Sequence, residues 1–245
     1  INEELDREGL KLSKSLNLPF LGSIKTLSKK FKDSGEMPNI KFFIVVSKDL
    51  IYLKKGIGGS SKPIYCNFLK WSREGSKVNL LKCLRGLPKQ SLLIDATAGL
   101  GKDALLLSSL VDKLILIERV PWIHALLEDG LKRQSELIPS LKKIEVICSD
   151  SKDYLSKLSS NPDVIYLDPM FENTGKSKAK REVQALRELV KESSCEKLLE
   201  ISLKKAKNRV IVKRHRKAQN LSRLKPTYSL KGKVIRYDVY SLTLS

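Results

Sequence analysis

From residue 78 onward, short apolar runs alternate with longer stretches whose apolar positions recur at helical spacing. That alternation is the mark of βαβ units feeding a parallel sheet. It predicts helices over 78–84, 103–110, 122–133, 152–158, 178–191 and 195–205. Strands are predicted over 91–95, 113–117, 144–148, 163–167 and 209–212. Residues 227–230 and 234–242 flank Lys231-Gly232-Lys233 and read as a closing hairpin. The expected fold is α/β, a doubly wound sheet with an antiparallel C-terminal edge.

The first sixty-odd residues have a different texture. Residues 42–46 and 50–53, separated by Ser47-Lys48-Asp49, read as a hairpin. Lys29 to Gly35 reads as a turn-rich basic segment, Gly56 to Pro63 as a flexible connection, and 64–68 as another short strand. This predicts a small N-terminal α+β appendage over 1–65 and a catalytic domain over 66–245. No internal repeat is visible.

Composition narrows the class. Hydrophobic residues make up 41% and charged residues 30% of the 245, ordinary for a globular protein. The longest apolar runs, such as Phe42 to Val46 and Ala104 to Leu107, fall far short of the roughly 20 residues that span a bilayer. No membrane segment or secretory signal appears, although the sequence opens at Ile1 without a methionine. Cys66, Cys83, Cys148 and Cys195 lie far apart with no Cys-x-x-Cys, and there are only two histidines. No metal site is expected, and the cysteines read as small buried hydrophobes in a reducing cytoplasm.

The net charge of +20 makes a polyanion the natural partner, because binding phosphates releases counterions. The cations cluster. Lys176, Lys178, Lys180 and Arg181 follow one predicted strand end, and Lys213, Arg214, Arg216 and Lys217 follow another. Both lie where the carboxyl edge of a parallel sheet would be, the edge at which open α/β sheets bind ligands. Nucleic acid is favoured over membrane, since no amphipathic helix with a wide apolar face accompanies the clusters.

Successive strand ends are acidic. Asp95-x-x-x-Gly99-x-Gly101 follows a strand and precedes a helix, and its glycines permit a tight turn and close approach of a ligand to the backbone. Gly99-x-Gly101-x-x-Ala104 also satisfies the dinucleotide fingerprint, so a nicotinamide enzyme is a rival. A phosphate-binding P-loop is excluded, because Asp103 follows Lys102 and Ala96 stands where the first glycine belongs. Glu118 ends the next strand, placed to accept both ribose hydroxyls of either cofactor. Asp150 ends the third, placed to accept from an adenine amine or to cap the following helix. Three acidic ends favour S-adenosylmethionine.

Asp168-Pro169-Met170-Phe171 ends the fourth strand. An exocyclic base amine is a poor nucleophile because its lone pair is delocalised into the ring. Asp168 and the Pro169 carbonyl would accept its hydrogens, and Phe171 would stack on an extruded base. Cytosine C5 chemistry lacks its cysteine here. A ribose hydroxyl methyltransferase commonly uses a Lys-Asp-Lys-Glu set, for which Asp168 and Lys213 fill two places, but no glutamate follows Glu200. An amino nitrogen remains the best target, with a non-catalytic RNA-binding assembly protein as the alternative from another class.

Asp95 to Ala104, Ile117-Glu118-Arg119, Leu126 to Leu131, Tyr166 to Phe171, Arg209 to Arg214 and Tyr237-Asp238-Val239-Tyr240, in that order, resemble the RsmJ family. These are bacterial small-subunit ribosomal RNA guanine-N2 methyltransferases. The resemblance runs from about Phe42 to the C-terminus and implies a Rossmann-like class I methyltransferase sheet in a cytoplasmic enzyme. It also implies that Lys102, Asp103, Glu118, Arg119, Asp150, Ser151 and Asp168 contact S-adenosylmethionine. Amino-group methylation of another RNA or of DNA, adenine N6 included, stays open as a neighbouring reading. Two departures stand out: residues 69–76 are unlike the family's basic, glycine-rich run, and Asp150 replaces a common serine.

Overall fold

The computed structural model describes residues 3–34, 41–56, 62–73, 77–88, 90–169 and 195–242. The helix expected over 178–191, together with Met170 and Phe171, lies outside them. The chain begins with helices α1 (Glu3–Leu16) and α2 (Ile24–Ser34), then strands β1 (Phe42–Val46) and β2 (Ile51–Lys55). Short helices α3 (Phe68–Ser72) and α4 (Val78–Cys83) lead into the alternating region. There follow β3 (Leu92–Asp95), α5 (Ala104–Leu110), β4 (Lys113–Glu118), α6 (Pro121–Gln134), β5 (Ile144–Cys148), α7 (Ser151–Lys157) and β6 (Val164–Leu167). The chain closes with α8 (Cys195–Lys205), β7 (Arg209–His215), β8 (Tyr228–Lys231) and β9 (Ile235–Ser241).

Seven strands form one sheet in the order β5-β4-β3-β6-β7-β9-β8. The first five are parallel, and β9 runs antiparallel to both β7 and β8. Strand order reverses at β3, whose carboxyl end therefore borders a crevice between β3 and β6. This is the doubly wound sheet with an antiparallel edge that the alternation predicts.

Strand period divides the core in two. Leu93, Leu114, Leu116, Val164, Tyr166, Ile211, Tyr237 and Val239 face α3 to α6. Ile94, Ile115, Ile117, Ile165, Leu167, Val210 and Val212 face α7 and α8. Both faces are covered, so the central strands read as continuous apolar runs rather than alternating ones.

The N-terminal region departs from expectation in two places. Lys29 to Ser34 belongs to α2 and is helical rather than turn-rich. In the segment read as a strand, only Ile64 bridges, to Leu53. Asn67 then accepts from the Lys70 amide and caps α3 at Phe68. Leu53, Ile64, Cys66 and Phe68 pack into the same core as Leu126 and Leu127 of α6. The C-terminal turn of α6 holds that connection: Arg133 and Gln134 donate to the Cys66 carbonyl, and Gln134 accepts from the Leu69 amide.

A candidate active site at the carboxyl edge of the sheet

Asp95 ends β3 fully inside the protein, its Oδ1 accepting from the Thr97 amide at 2.9 Å and hydroxyl at 3.3 Å. Burial pushes its carboxyl up to about 8, against the bonds from Thr97. Thr97 Oγ1 in turn accepts the Asp168 amide at 2.6 Å, tying the ends of β3 and β6 together. Gly99 and Gly101 both adopt positive φ, 54° and 73°. A Cβ at Gly101 would lie 2.7 Å from Leu127 Cδ1, so both backbone and space demand glycine there.

Asp103 precedes α5 in the N-cap position but makes no capping bond. Its carboxylate instead turns into the interior, 4% exposed, and gathers three donors. Lys77 pairs with Oδ1, while Tyr166 donates to Oδ2 at 2.6 Å and Lys213 at 2.9 Å. Lys213 also donates to Asp168 Oδ2 at 2.6 Å. One ammonium thus bridges the carboxylates that follow β3 and β6.

The protonation states follow. Burial alone would raise Asp103, but Lys213 and Lys77 outweigh it and hold its carboxyl well below the usual range. Burial lowers Lys213, yet Asp168 and Asp103 more than compensate and hold its ammonium charged. Asp168 is pushed up by burial, pulled back by Lys213 and pushed again by Asp103. Its side chain keeps 32% of its surface exposed, so water screens part of that burial. Burial, then Asp103 and Asp168, drive the Tyr166 phenol well above its ordinary value, which keeps it a donor. Tyr237, the cross-strand neighbour of Lys213, is 1% exposed and its hydroxyl has no partner among the described residues.

Glu118 ends β4 with its carboxylate accepting backbone amides, Oε2 from Gly99 at 2.9 Å and Oε1 from Val120 at 2.8 Å. Burial raises its carboxyl against those bonds. The Arg119 backbone also bonds to it, and since a carboxylate has about four lone-pair directions, acceptor capacity still remains for a ligand hydroxyl. Asp150 caps α7 through the Lys152 amide at 2.8 Å, with Oδ2 directed to the Lys152 ammonium at 3.9 Å.

The residues expected at the cofactor therefore separate. Asp95, Gly99, Gly101, Glu118 and Asp150 do line successive strand ends. Asp103 is committed to Lys77, Lys213 and Tyr166, and Ser151 is buried with its hydroxyl donating to the Ala96 carbonyl at 2.6 Å. Lys102 carries its ammonium over the Trp71 ring, 5.9 Å from the centroid, while Arg119 is exposed. Among the expected RNA contacts, Lys213 faces inward to the two carboxylates. Arg214 is 5% exposed on the opposite face and donates to the Gln219 carbonyl at 2.8 Å. Strand alternation sends consecutive residues to opposite sides of a covered sheet, so neither presents its charge at the surface. Lys176, Lys178, Lys180, Arg181 and Phe171 lie outside the described residues.

Sequence reasoning overlooked Lys77, Tyr166 and Thr97 as members of the site. Tyr166 was within reach, because it shares a strand face with Asp168 at a spacing of two. Lys77 had no such signal, standing alone before α4.

The donor set fits S-adenosylmethionine. Its ribose hydroxyls and adenine amine are hydrogen-bond donors, and the ends of β4 and β5 each supply a carboxylate beside the glycine turn after β3. Among the described residues no group of His, Cys, Asp and Glu is arranged to hold a metal ion, and no helix is long and apolar enough to cross a membrane.

Residues 29–242 match the family model described as "Putative SAM-dependent methyltransferase". Ribosomal RNA small subunit methyltransferase J of Cellvibrio japonicus is 43% identical over 161 residues, 61% of this chain and 60% of that protein. The one from Thioalkalivibrio sulfidiphilus is 41% identical over 60% of the chain and 61% of its own length, so the chain spans about three fifths of these two relatives. The one from Coxiella burnetii is 35% identical with 96% of this chain and 92% of that protein aligned. The crystal structure of a SAM-dependent methyltransferase from Neisseria gonorrhoeae superposes with a TM-score of 0.66 at 26% identity, covering 84% of this chain and 85% of that one. With the strand order, the acidic strand ends and the glycine turn already in place, these matches make the chain a member of the S-adenosylmethionine-dependent methyltransferase family of ribosomal RNA small subunit methyltransferase J.

Proposed function

We propose that this protein transfers a methyl group from S-adenosylmethionine to the N2 amine of a guanine in small-subunit ribosomal RNA. The observation that carries the reading is the Asp168 carboxylate, fixed by Lys213 and by the Thr97–amide bond at the crevice between β3 and β6, beside the acidic ends of β3, β4 and β5. The relatives' names supply the substrate class.

S-adenosylmethionine, when bound, supplies an electrophilic methyl group on a sulfonium. Glu118 would accept a ribose hydroxyl and Asp150 the adenine amine, while Gly99 and Gly101 leave room at the turn. Asp168 has Oδ2 engaged by Lys213, so Oδ1 is the oxygen that accepts a hydrogen of the guanine amine. Accepting that hydrogen keeps the nitrogen lone pair available and orients it. The Pro169 carbonyl is the second acceptor, and Phe171 the stacking partner for the base. Lys213 and Asp103 position Asp168; they do not touch the base. Holding both reactants in line accounts for much of the acceleration in such a transfer.

A ribose-hydroxyl reading gains from one observation: Lys77, Asp168 and Lys213 share a single network, three members of a Lys-Asp-Lys-Glu pattern, with Asp103 as the further carboxylate. Transfer of labelled methyl to unmodified small ribosomal subunits, followed by complete nucleoside digestion, separates the readings. N2-methylguanosine is expected. A 2′-O-methylated nucleoside would overturn the amine reading and favour the ribose one; N6-methyladenosine would keep the fold and change the base.

A further inference from the structure

Asp238 is the only acidic residue after Glu200, while lysines and arginines continue as far as Arg236 at the start of β9. Several of those cations are structural. Lys213 and Arg214 point inward as described, and Arg209 donates to the Cys83 carbonyl at 2.7 Å. Eight others are exposed: Lys204 and Lys207 precede β7, and Arg216, Lys217, Arg223, Lys225, Lys231 and Lys233 follow it. The six after β7 lie in just two segments, the loop after β7 and the end of the hairpin where β8 turns into β9.

The two segments are joined. The Arg216 amide donates to the Val234 carbonyl at 2.8 Å, and its guanidinium reaches the Gly232 carbonyl at 3.4 Å. Below the loop lies Arg236, 7% exposed and paired with Asp238. Its guanidinium donates to the carbonyls of Arg216 at 3.1 Å, Ala218 at 2.6 Å and Gln219 at 3.3 Å, and to Asn220 Oδ1 at 3.2 Å. Arg214 adds a second buried guanidinium on the Gln219 carbonyl. Two interior arginines thus fix the backbone of one surface loop. A fixed loop loses little freedom when it binds, which is how a preorganised surface gains affinity.

Charge and placement state what it fits. Neither segment contains an acidic residue to offset the field of the six cations, which suits a phosphate chain. Leu224, Tyr228 and Val234 are exposed between them, side chains on which unstacked bases pack. These apolar groups are scattered over a loop, a turn and a strand edge rather than along one helix face, which disfavours a lipid surface. Arg216 follows Lys213 by three residues, at most about 11 Å of chain, so the surface adjoins Asp168.

We infer that the loop at 216–225 and the turn at 231–234 form the docking surface for the phosphate backbone of the RNA that the site methylates. The inference rests on the proposed function for its substrate, and binding tests it apart from catalysis. The variant Lys217→Gln/Lys231→Gln/Lys233→Gln removes exposed charges whose side chains pair with none of the described residues. Binding of an unmodified small-subunit ribosomal RNA transcript should weaken by about tenfold or more at low salt. Its log–log salt slope should flatten by about 0.7 for each phosphate that the variant no longer neutralises. Affinity for S-adenosylmethionine should stay within twofold. A second variant, Arg223→Gln/Lys225→Gln, should weaken RNA binding in the same direction. Unchanged RNA affinity and slope in both variants would overturn the inference. So would loss of binding to phosphatidylserine vesicles with RNA binding intact, which would make this a membrane surface. Wild-type protein that binds RNA here but transfers no methyl group would support the docking surface while overturning the proposed reaction.

Discussion

Lys213 sits between two carboxylates, so its removal has a definite sign. Without its ammonium, Asp168 loses the charge that opposes burial and is pushed further up. Lys213→Met should therefore move the acidic limb of the kcat profile to higher pH, and Lys213→Arg should restore most of it. An unmoved limb would remove Lys213 from control of Asp168. Asp168→Ala should lower kcat by about 100-fold or more with RNA affinity within a few-fold, and retained turnover would take Asp168 out of the mechanism. Asp95 gives a stability test with the opposite dependence from Asp103. Its folded pKa of about 8 lies above the ordinary 3.8, so the folded state binds more protons between those values. Its contribution is complete below about 4 and is lost as pH rises through about 8. Asp103, held below the ordinary range, contributes above that range and loses its contribution on acidification. Asp95→Asn keeps Oδ1 for Thr97 but cannot titrate, so urea unfolding of that variant should vary less with pH across that window than the wild type. Equal pH dependence in both would show that Asp95 is not the group responsible. Asp95, Glu118, Asp150 and Asp168 were legible because each follows an apolar strand. The partners of Asp103 were not, because they come from the residue before α4, from β6 and from β7, which only the folded sheet brings together.

At the level of elements, the sequence was most readable where burial sets one period. β3 to β7 each carry an apolar run that must lie between two helical layers, and the structure places them within a few residues of expectation. Residues 64–68 misled because Ile64, Tyr65 and Phe68 resemble a strand, whereas Asn67 supplies a cap that starts α3 instead. The same segment explains Gly130 in the middle of α6, where propensity alone would favour alanine. A Cβ at Gly130 would stand 2.4 Å from Cys66 Cβ and 3.3 Å from the Cys66 carbonyl oxygen. Gly130→Ala should push α6 away from 66–69, strain the Gln134 bonds and cost about 1–3 kcal/mol. For a chain of this size that lowers Tm by about 2–4 °C per kcal/mol. Thermal unfolding of the double variant Cys66→Gly/Gly130→Ala should recover part of the loss, since the pair is in direct contact. A Gly130→Ala protein as stable as wild type would mean that the segment yields without cost.

Over the whole molecule, the core runs across the position where composition suggests a boundary. Texture changes near residue 65, with a glycine-rich connection just before it, and that contrast is all a linear reading can weigh. Packing draws a different line. Leu53 and Ile64 are buried in the core that contains Leu126, Leu127 and the inner face of the sheet, while α1 buries no residue at all. Packing therefore predicts that the leading helices, not the hairpin, are the separable part. A protein starting at Lys41 should keep its Tm within a few degrees and bind S-adenosylmethionine as the full chain does. One starting at Cys66 loses three buried aliphatic side chains, Val45, Leu53 and Ile64, and uncovers their partners, a cost of about 2–5 kcal/mol for each by analogy with large-to-small core substitutions. It should unfold well below the full chain or fail to fold cooperatively. Comparison of the two deletions by thermal unfolding and cofactor titration decides the point: a stable, cofactor-binding 66–245 fragment would establish that segment as a domain in its own right. Its failure beside a sound 41–245 protein would make the hairpin part of the methyltransferase core.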